Sequence, residues 1–297
     1  IGMELLYPAQ LNGRLAVLTE ELRQPYWQES ELPCTAEDVM GEAIEAYGRA
    51  KALADQGRAF AGLDTGFDQL NDALNGLCPG EMTVLGARPS IGKTTLALQV
   101  AVSVAKRDQK KVGVVSLEMT RAQMGTRIAC IEASLDHDLQ RKGMLHKLDA
   151  DRFTEATRVI ARLPMCFYCE DRTIEGIAER IRKETEVELW IVDHLHRIVG
   201  GTAERDHERL GGYAHVLADL AVTTQKHILL VSQLNRGSED KADHRPQISD
   251  LRGSGSIEEH AVNVLLLHRP GFYTDMRERF KGKDKAEELA ALIGVAE

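Results

Sequence analysis

From about Phe60 onward the chain is a succession of short apolar runs, separated by longer stretches in which apolar residues recur at helical spacing. The runs MTVLGA, KVGVVSLE, MCFYCE, VELWIVDH, HILLVSQ and VNVLLLH are rich in Val, Ile and Leu and end at polar or turn-forming residues. Runs of this kind, without strict alternation, predict strands buried on both faces. The segment from about Lys93 to Lys106, then RAQMGTRIACIEAS, TIEGIAERIRKETE and the stretch from about Leu210 to Gln225, read as helices. The alternation predicts an α/β fold with a largely parallel central sheet, covered on both sides. No internal repeat interrupts it.

The first part of the chain has a different texture. AEDVMGEAIEAYGRAKALADQG sets Val39, Ile44, Tyr47 and Leu53 among Ala and Glu, which are strong helix formers, and Gly57 is placed to stop the helix. Pro25 and Pro33 bracket polar, irregular chain. The reading is a short helical N-terminal extension over residues 1–58, without a substantial core of its own, followed by the α/β domain over residues 59–297. That domain opens with a short helix in TGFDQLNDALNGLCPGE, closed at Gly76, and a Pro79-Gly80 turn.

Composition narrows the class. A chain of 297 residues with 43% hydrophobic content can bury a sizeable core. Its longest apolar stretches, TLALQVAVSVA and HAVNVLLLH, fall short of the roughly 20 residues that span a bilayer, and no signal peptide opens it. The cysteines Cys34, Cys78, Cys130, Cys166 and Cys169 form no regular framework, which suits free thiols in a reducing compartment. These features predict a soluble cytoplasmic protein with no membrane partner. A net charge of -9 argues against an outer surface that coats nucleic acid, and leaves room for a local nucleic-acid site.

The residues after MTVLGA carry the first chemistry. Ala87, Arg88, Pro89, Ser90, Ile91, Gly92, Lys93 and Thr94, followed by Thr95, fit the phosphate-binding pattern G-x-x-x-x-G-K-[ST] with alanine in the first glycine position. Gly86 lies one residue too early to fill it. The pattern sets consecutive backbone N–H groups at a helix N-terminus, where the dipole also favours an anion. Gly92 lets the backbone approach closely, Lys93 neutralises the β- and γ-phosphates, and the Thr94 hydroxyl ligates Mg²⁺. The loop predicts a site for ATP with Mg²⁺.

Three further residues end apolar strands. Asp193, closing LWIVD, is placed as the second Mg²⁺-organising group. Glu118 follows VGVVSL and would emerge at the carboxyl edge of the sheet, where ligands of open α/β sheets bind, to orient and deprotonate an attacking water. Gln233 closes ILLVSQ, where a neutral amide can bond the γ-phosphate and report its loss.

ARPSIGKTT, SLEM, the strand ending in Asp193, SQLNR and SDLRGSGSIEE occur in the order found in the DnaB family of replicative DNA helicases, and from about Leu63 to Arg269 the chain resembles that family. The resemblance implies a RecA-like P-loop ATPase that works as a homohexamer, hydrolyses ATP at subunit interfaces and moves 5′ to 3′ along single-stranded DNA. It also implies Glu118 as catalytic base, Gln233 as γ-phosphate sensor and Lys93 in the catalytic set. The segment from Asp250 to Glu259 becomes a DNA-facing loop, with Arg252, Gly253 and Gly255 on the DNA backbone. A primase or a helicase loader is an implied partner. Charge alone does not reveal the loop, because Arg236, Lys241, Arg245 and Arg252 are offset by Glu239, Asp240, Asp243 and Asp250.

Some residues depart from the family pattern. His194-Leu195-His196 stands where the family has Tyr-Leu-Gln, and Gly253 where a glutamate follows the loop arginine. The family's Lys-x-Arg element, which reaches a neighbour's ATP site, does not occur before the sequence ends at GVAE. These differences keep open a second reading, a non-unwinding RecA- or KaiC-like assembly ATPase or a regulatory DnaB-like partner. Asp193, His194 and His196 also offer three candidate ligands for a transition metal, but strand geometry and the Mg²⁺ role of Asp193 argue against it. Cys166 and Cys169 form a lone CxxC with no second pair.

Overall fold

A computed structural model describes residues 35–200, 206–235, 245–251 and 254–269. The chain divides between Gly57 and Arg58. In the first part, α1 (Ala36–Asp55) starts from a capping box: the Thr35 hydroxyl accepts from the Asp38 amide, and the Asp38 carboxylate accepts from the Thr35 amide. The helix ends at Gln56, with Gly57 left-handed at φ 83°. None of its residues is buried, and Val39, Met40, Ile44 and Tyr47 are exposed.

The second part opens with α2 (Asp68–Leu74), capped by a left-handed Asn75 ahead of Gly76. Then come β1 (Met82–Ala87), α3 (Lys93–Ser103) with a π-helical turn at Val104–Asp108, β2 (Lys111–Ser116), α4 (Arg121–Ala133), α5 (His137–Arg141), α6 (Lys147–Ile160), β3 (Met165–Tyr168) and α7 (Ile174–Lys183). The order continues with β4 (Val187–Asp193), α8 (Asp206–Thr224), β5 (His227–Gln233), α9 (Ser254–His260) and β6 (Asn263–Leu267). The six strands form one sheet in the order β3-β2-β4-β5-β1-β6, and every pairing is parallel.

Alternate residues of each strand feed two cores. Met82, Val84, Trp190, Val192, Ile228 and Leu230 pack on α7 and α8, whereas Leu85, Val112, Val114, Leu189, Ile191, Leu229 and Val231 pack on α3 and α4. Burial on both faces explains why the strands read as continuous apolar runs. At the edge opposite the phosphate loop, the buried His227 ring bonds the Cys78 carbonyl at 2.7 Å and the Thr83 hydroxyl at 3.1 Å.

Four differences from the sequence expectation matter. The apolar helix after Lys93 gives way to the π turn at Val104, and α8 begins at Asp206, earlier than its apolar pattern. Helices α5 and α6 fill a stretch in which periodicity marked none, because α6 buries only Ala156 and keeps a mainly polar surface. The segment expected as a DNA-facing loop is in part helical: Gly255 stands in the first turn of α9, which is anchored by the fully buried Ile257.

Candidate nucleotide-binding site

The register of the sheet brings the site together. Ala87 at the end of β1 pairs with Gln233 at the end of β5. Asp193, ending β4, pairs with Val231 of β5, and Ser116, ending β2, pairs with Asp193. Because β5 lies between β1 and β4, Gln233 is set between the phosphate loop and the strand that ends in Asp193. Four strand ends therefore form one carboxyl edge, where open α/β sheets bind ligands.

The loop after β1 turns through Ser90, left-handed at φ 64°, and Gly92, at φ 116°, a value side chains other than glycine rarely adopt. Gly92 caps α3 without any side-chain bond to its first turn, which leaves the amides there open to an anion. Ile91 is buried and anchors the loop, and Arg88 Nη1 lies 3.5 Å from the Leu234 carbonyl. Before the loop, Gly86 admits no side chain: a Cβ there would meet Leu251 at 2.8 Å and Leu266 at 3.0 Å.

Asp193 is 3% exposed. Burial raises its pKa, against the nearby Thr94 hydroxyl and the charges of His194 and Lys93. Its Oδ1 is buried without a hydrogen-bond partner among the described residues. An orphaned carboxylate oxygen is costly in a protein interior. Asp193 Oδ1 beside the Thr94 hydroxyl fits a hydrated Mg²⁺, an ion that is commonly held by one or two protein oxygens together with phosphates and water. Among the described residues no group of three His, Cys, Asp or Glu side chains is arranged around a metal.

Glu118 lies two residues beyond β2 with its side chain 44% exposed, and His194 Nδ1 stands 3.2 Å from its Oε2. That is ion-pair reach, although the line from Nδ1 falls short of a strictly aligned hydrogen bond. The His194 contact, with further help from Lys93 and Arg197 and against partial burial, holds the Glu118 carboxyl down at about 2.

Pro89, Ser90, Gly92, Lys93, Thr94, Thr95, Glu118 and Gln233 line a single cleft of about 1310 Å³. Ala87, Arg88, Ile91 and Asp193 do not line it, and Ala87, Ile91 and Asp193 are buried. Gly255 does not line it, and Arg252 and Gly253 lie outside the described residues. Sequence reading missed Gln99, one turn beyond Thr95 on α3, and Arg127, one turn beyond Gln123 on α4; both line the cleft, and their helical spacing was the available signal. It also missed the approach of His194 to Glu118. The strand ends at Asp193, so His194 follows it and precedes a 3₁₀ turn that holds His196, with ring centroids 5.8 Å apart. Cys166 and Cys169 are free thiols on and just after β3.

Residues 62–294 match the family model of the DnaB-like helicase C-terminal domain. The chain belongs to that family. Relatives of this DnaB-like domain include the replicative DNA helicase DnaB of Leifsonia xyli, 34% identical over 222 residues that make up 72% of this chain and 48% of that protein. The replicative DNA helicase DnaB of Helicobacter pylori is 33% identical over 247 residues, 78% of this chain and 49% of the relative. The chain thus spans about half the length of the curated relatives it matches. Among solved structures, the ATPase domain of another protein superposes with a TM-score of 0.71 at 23% identity, covering 82% of this chain and 86% of that one. A DnaB-like replicative helicase studied with primase gives 0.70 at 20% identity, covering 93% and 67%. The fold is the RecA-like architecture of DnaB-like ATPase domains. Among the described residues no helix is long and apolar enough to cross a membrane.

Proposed function

We propose that this chain is the ATPase motor of a replicative DNA helicase, a homohexamer that hydrolyses ATP at its subunit interfaces and moves 5′ to 3′ along single-stranded DNA. The observation that supports this most is the alignment of Ala87, Gln233, Asp193 and Ser116 at one sheet edge in a DnaB-like domain.

In this reading the open amides from Gly92 to Thr95, at the start of α3, and the Lys93 ammonium bind the phosphates of ATP. Thr94 and Asp193 hold Mg²⁺, which when bound neutralises charge on the phosphoryl oxygens. Glu118 accepts a hydrogen bond from water and turns its oxygen in line with the γ-phosphorus. The water oxygen bonds to that phosphorus, the bond to the β–γ bridging oxygen breaks, and ADP departs with the electron pair. Glu118 orients the water, and the proton finishes on the phosphate product. Gln233 donates to the γ-phosphate, and its loss is felt by Leu234 and Asn235, the next residues along the chain.

Arg252, Gly253 and Gly255 hold the DNA backbone by charge and by backbone N–H groups. A primase or a loader is the partner outside the ring, since one structure similar to this chain is of a helicase interacting with primase. Forked duplexes test the reading in the full-length protein: with ATP and Mg²⁺, a fork with a 5′ tail is separated and one with only a 3′ tail is not. ATP turnover without separation of either fork would favour the second reading, a non-unwinding assembly ATPase or regulatory partner, towards which the His194 and His196 replacements lean.

A further inference from the structure

We propose that His194 is a positioning residue for Glu118, a buried ring that holds one oxygen of the carboxylate so that the other meets the attacking water in a fixed place. This deepens the reading of Glu118 as the group that orients water, and rests on it.

Glu118 is poorly fixed by its own segment. It stands beyond the end of β2, nearly half-exposed in the lining of a wide cleft, and a free glutamate side chain has several rotamers open to it. An orienting group has to be held closely, because an error of about 1 Å can cost on the order of a hundredfold in rate. Something must therefore stiffen it.

The neighbouring strand end supplies the stiffener. Strands β2 and β4 stay paired to their last residues, Ser116 with Asp193, and the Leu117 amide donates to the Asp193 carbonyl at 2.8 Å. That bond fixes Glu118, the residue after Leu117, against His194, the residue after Asp193. The His194 ring is 4% exposed, and its neighbours Leu117 and Leu195 are 2% and 0% exposed. A ring packed in this way has few alternative positions, and its Nδ1 lies 3.2 Å from Glu118 Oε2. Nδ1 is within reach of that oxygen but not aligned with it, and a neutral imidazole with its proton on Nδ1 donates once the half-exposed carboxylate swings into line as the site closes on its substrate, so the brace needs no charge on His194. One carboxylate oxygen is thereby occupied and the other is left for water.

The experiment measures kcat, KM and nucleotide Kd in the full-length protein. His194→Phe keeps a ring of similar size without a donor, and is expected to lower kcat roughly tenfold to a hundredfold with Kd for a fluorescent ATP analogue unchanged. His194→Asn, whose amide nitrogen takes the place of Nδ1, is expected to recover most of kcat. In a Glu118→Gln background, His194→Phe is expected to have no further effect. Unchanged or raised kcat in His194→Phe overturns the proposal while leaving the role of Glu118 intact; wild-type turnover in Glu118→Gln overturns the role of Glu118 itself, and the brace with it. If His194→Phe fails to bind nucleotide, the test passes to His194→Asn and His194→Gln: higher kcat in Asn is the expected result, since the Gln amide replaces Nε2, and equal kcat in the two overturns the brace.

Discussion

The Asn235 amide donates to the Asp250 carbonyl across 2.7 Å, and beside it Leu234 and Leu251 form an antiparallel bridge. The end of the strand bearing Gln233 is thus tied to the segment that leads into Arg252. Leu251, 1% exposed, also packs against the bare backbone of Gly86, one residue before the phosphate loop. A shift at the phosphate end has a short, packed route to the proposed DNA-binding residues.

Leu251→Ala is expected to weaken that route. Removing a buried leucine of this kind costs about 2–5 kcal/mol of stability, read from the urea midpoint. The factor by which single-stranded DNA raises ATP turnover should fall in the same variant, more than basal turnover does. Undiminished stimulation would show that the signal travels elsewhere.

Asp193 gives a paired prediction. Chelating Mg²⁺ should stop turnover in the wild type, and Asp193→Asn should lose at least about a hundredfold in kcat at saturating Mg²⁺. The folded state raises the Asp193 pKa, so keeping this carboxylate ionised at neutral pH opposes folding. Without nucleotide, thermal melting of Asp193→Asn should therefore come no lower than that of the wild type. A large drop would mean that Asp193 is a structural group.

His227 sets a pH dependence of stability. Burial, opposed by its bond to the Cys78 carbonyl, lowers its pKa to about 4, against about 6.5 in an unfolded chain. The unfolded state then takes up a proton that the folded state refuses. Stability from this group is complete above about pH 6.5 and is lost as pH falls towards 4, by up to about 3 kcal/mol. Urea midpoints between pH 7.5 and pH 4.5 check it, with His227→Gln, which does not titrate, showing a smaller change across that window.

The sheet was legible because its strands are buried on both faces, so each left an uninterrupted apolar run, from MTVLGA to VNVLLLH. The cleft residues on the phosphate loop, with Glu118 and Gln233, were legible because a strand end fixes where the next side chain emerges. Helix α6 was not, since its packed face is a thin stripe of Phe153, Ala156 and Ile160 set among polar residues, of which only Ala156 is fully buried. Nor was the contact between His194 and Glu118, which depends on β2 and β4 being neighbours although β3 and two crossovers separate them in the chain. Periodicity reports which face of an element is buried; it does not report strand order.

The central claim is that the nucleotide site drives a DNA motor, and ATP turnover with and without single-stranded DNA tests it most directly. In the full-length protein with Mg²⁺, single-stranded DNA should raise kcat several-fold, with Lys93→Ala inactive under both conditions and Arg252→Ala retaining basal turnover but responding less to DNA. Turnover that depends on Lys93 yet is indifferent to single-stranded DNA would contradict the account.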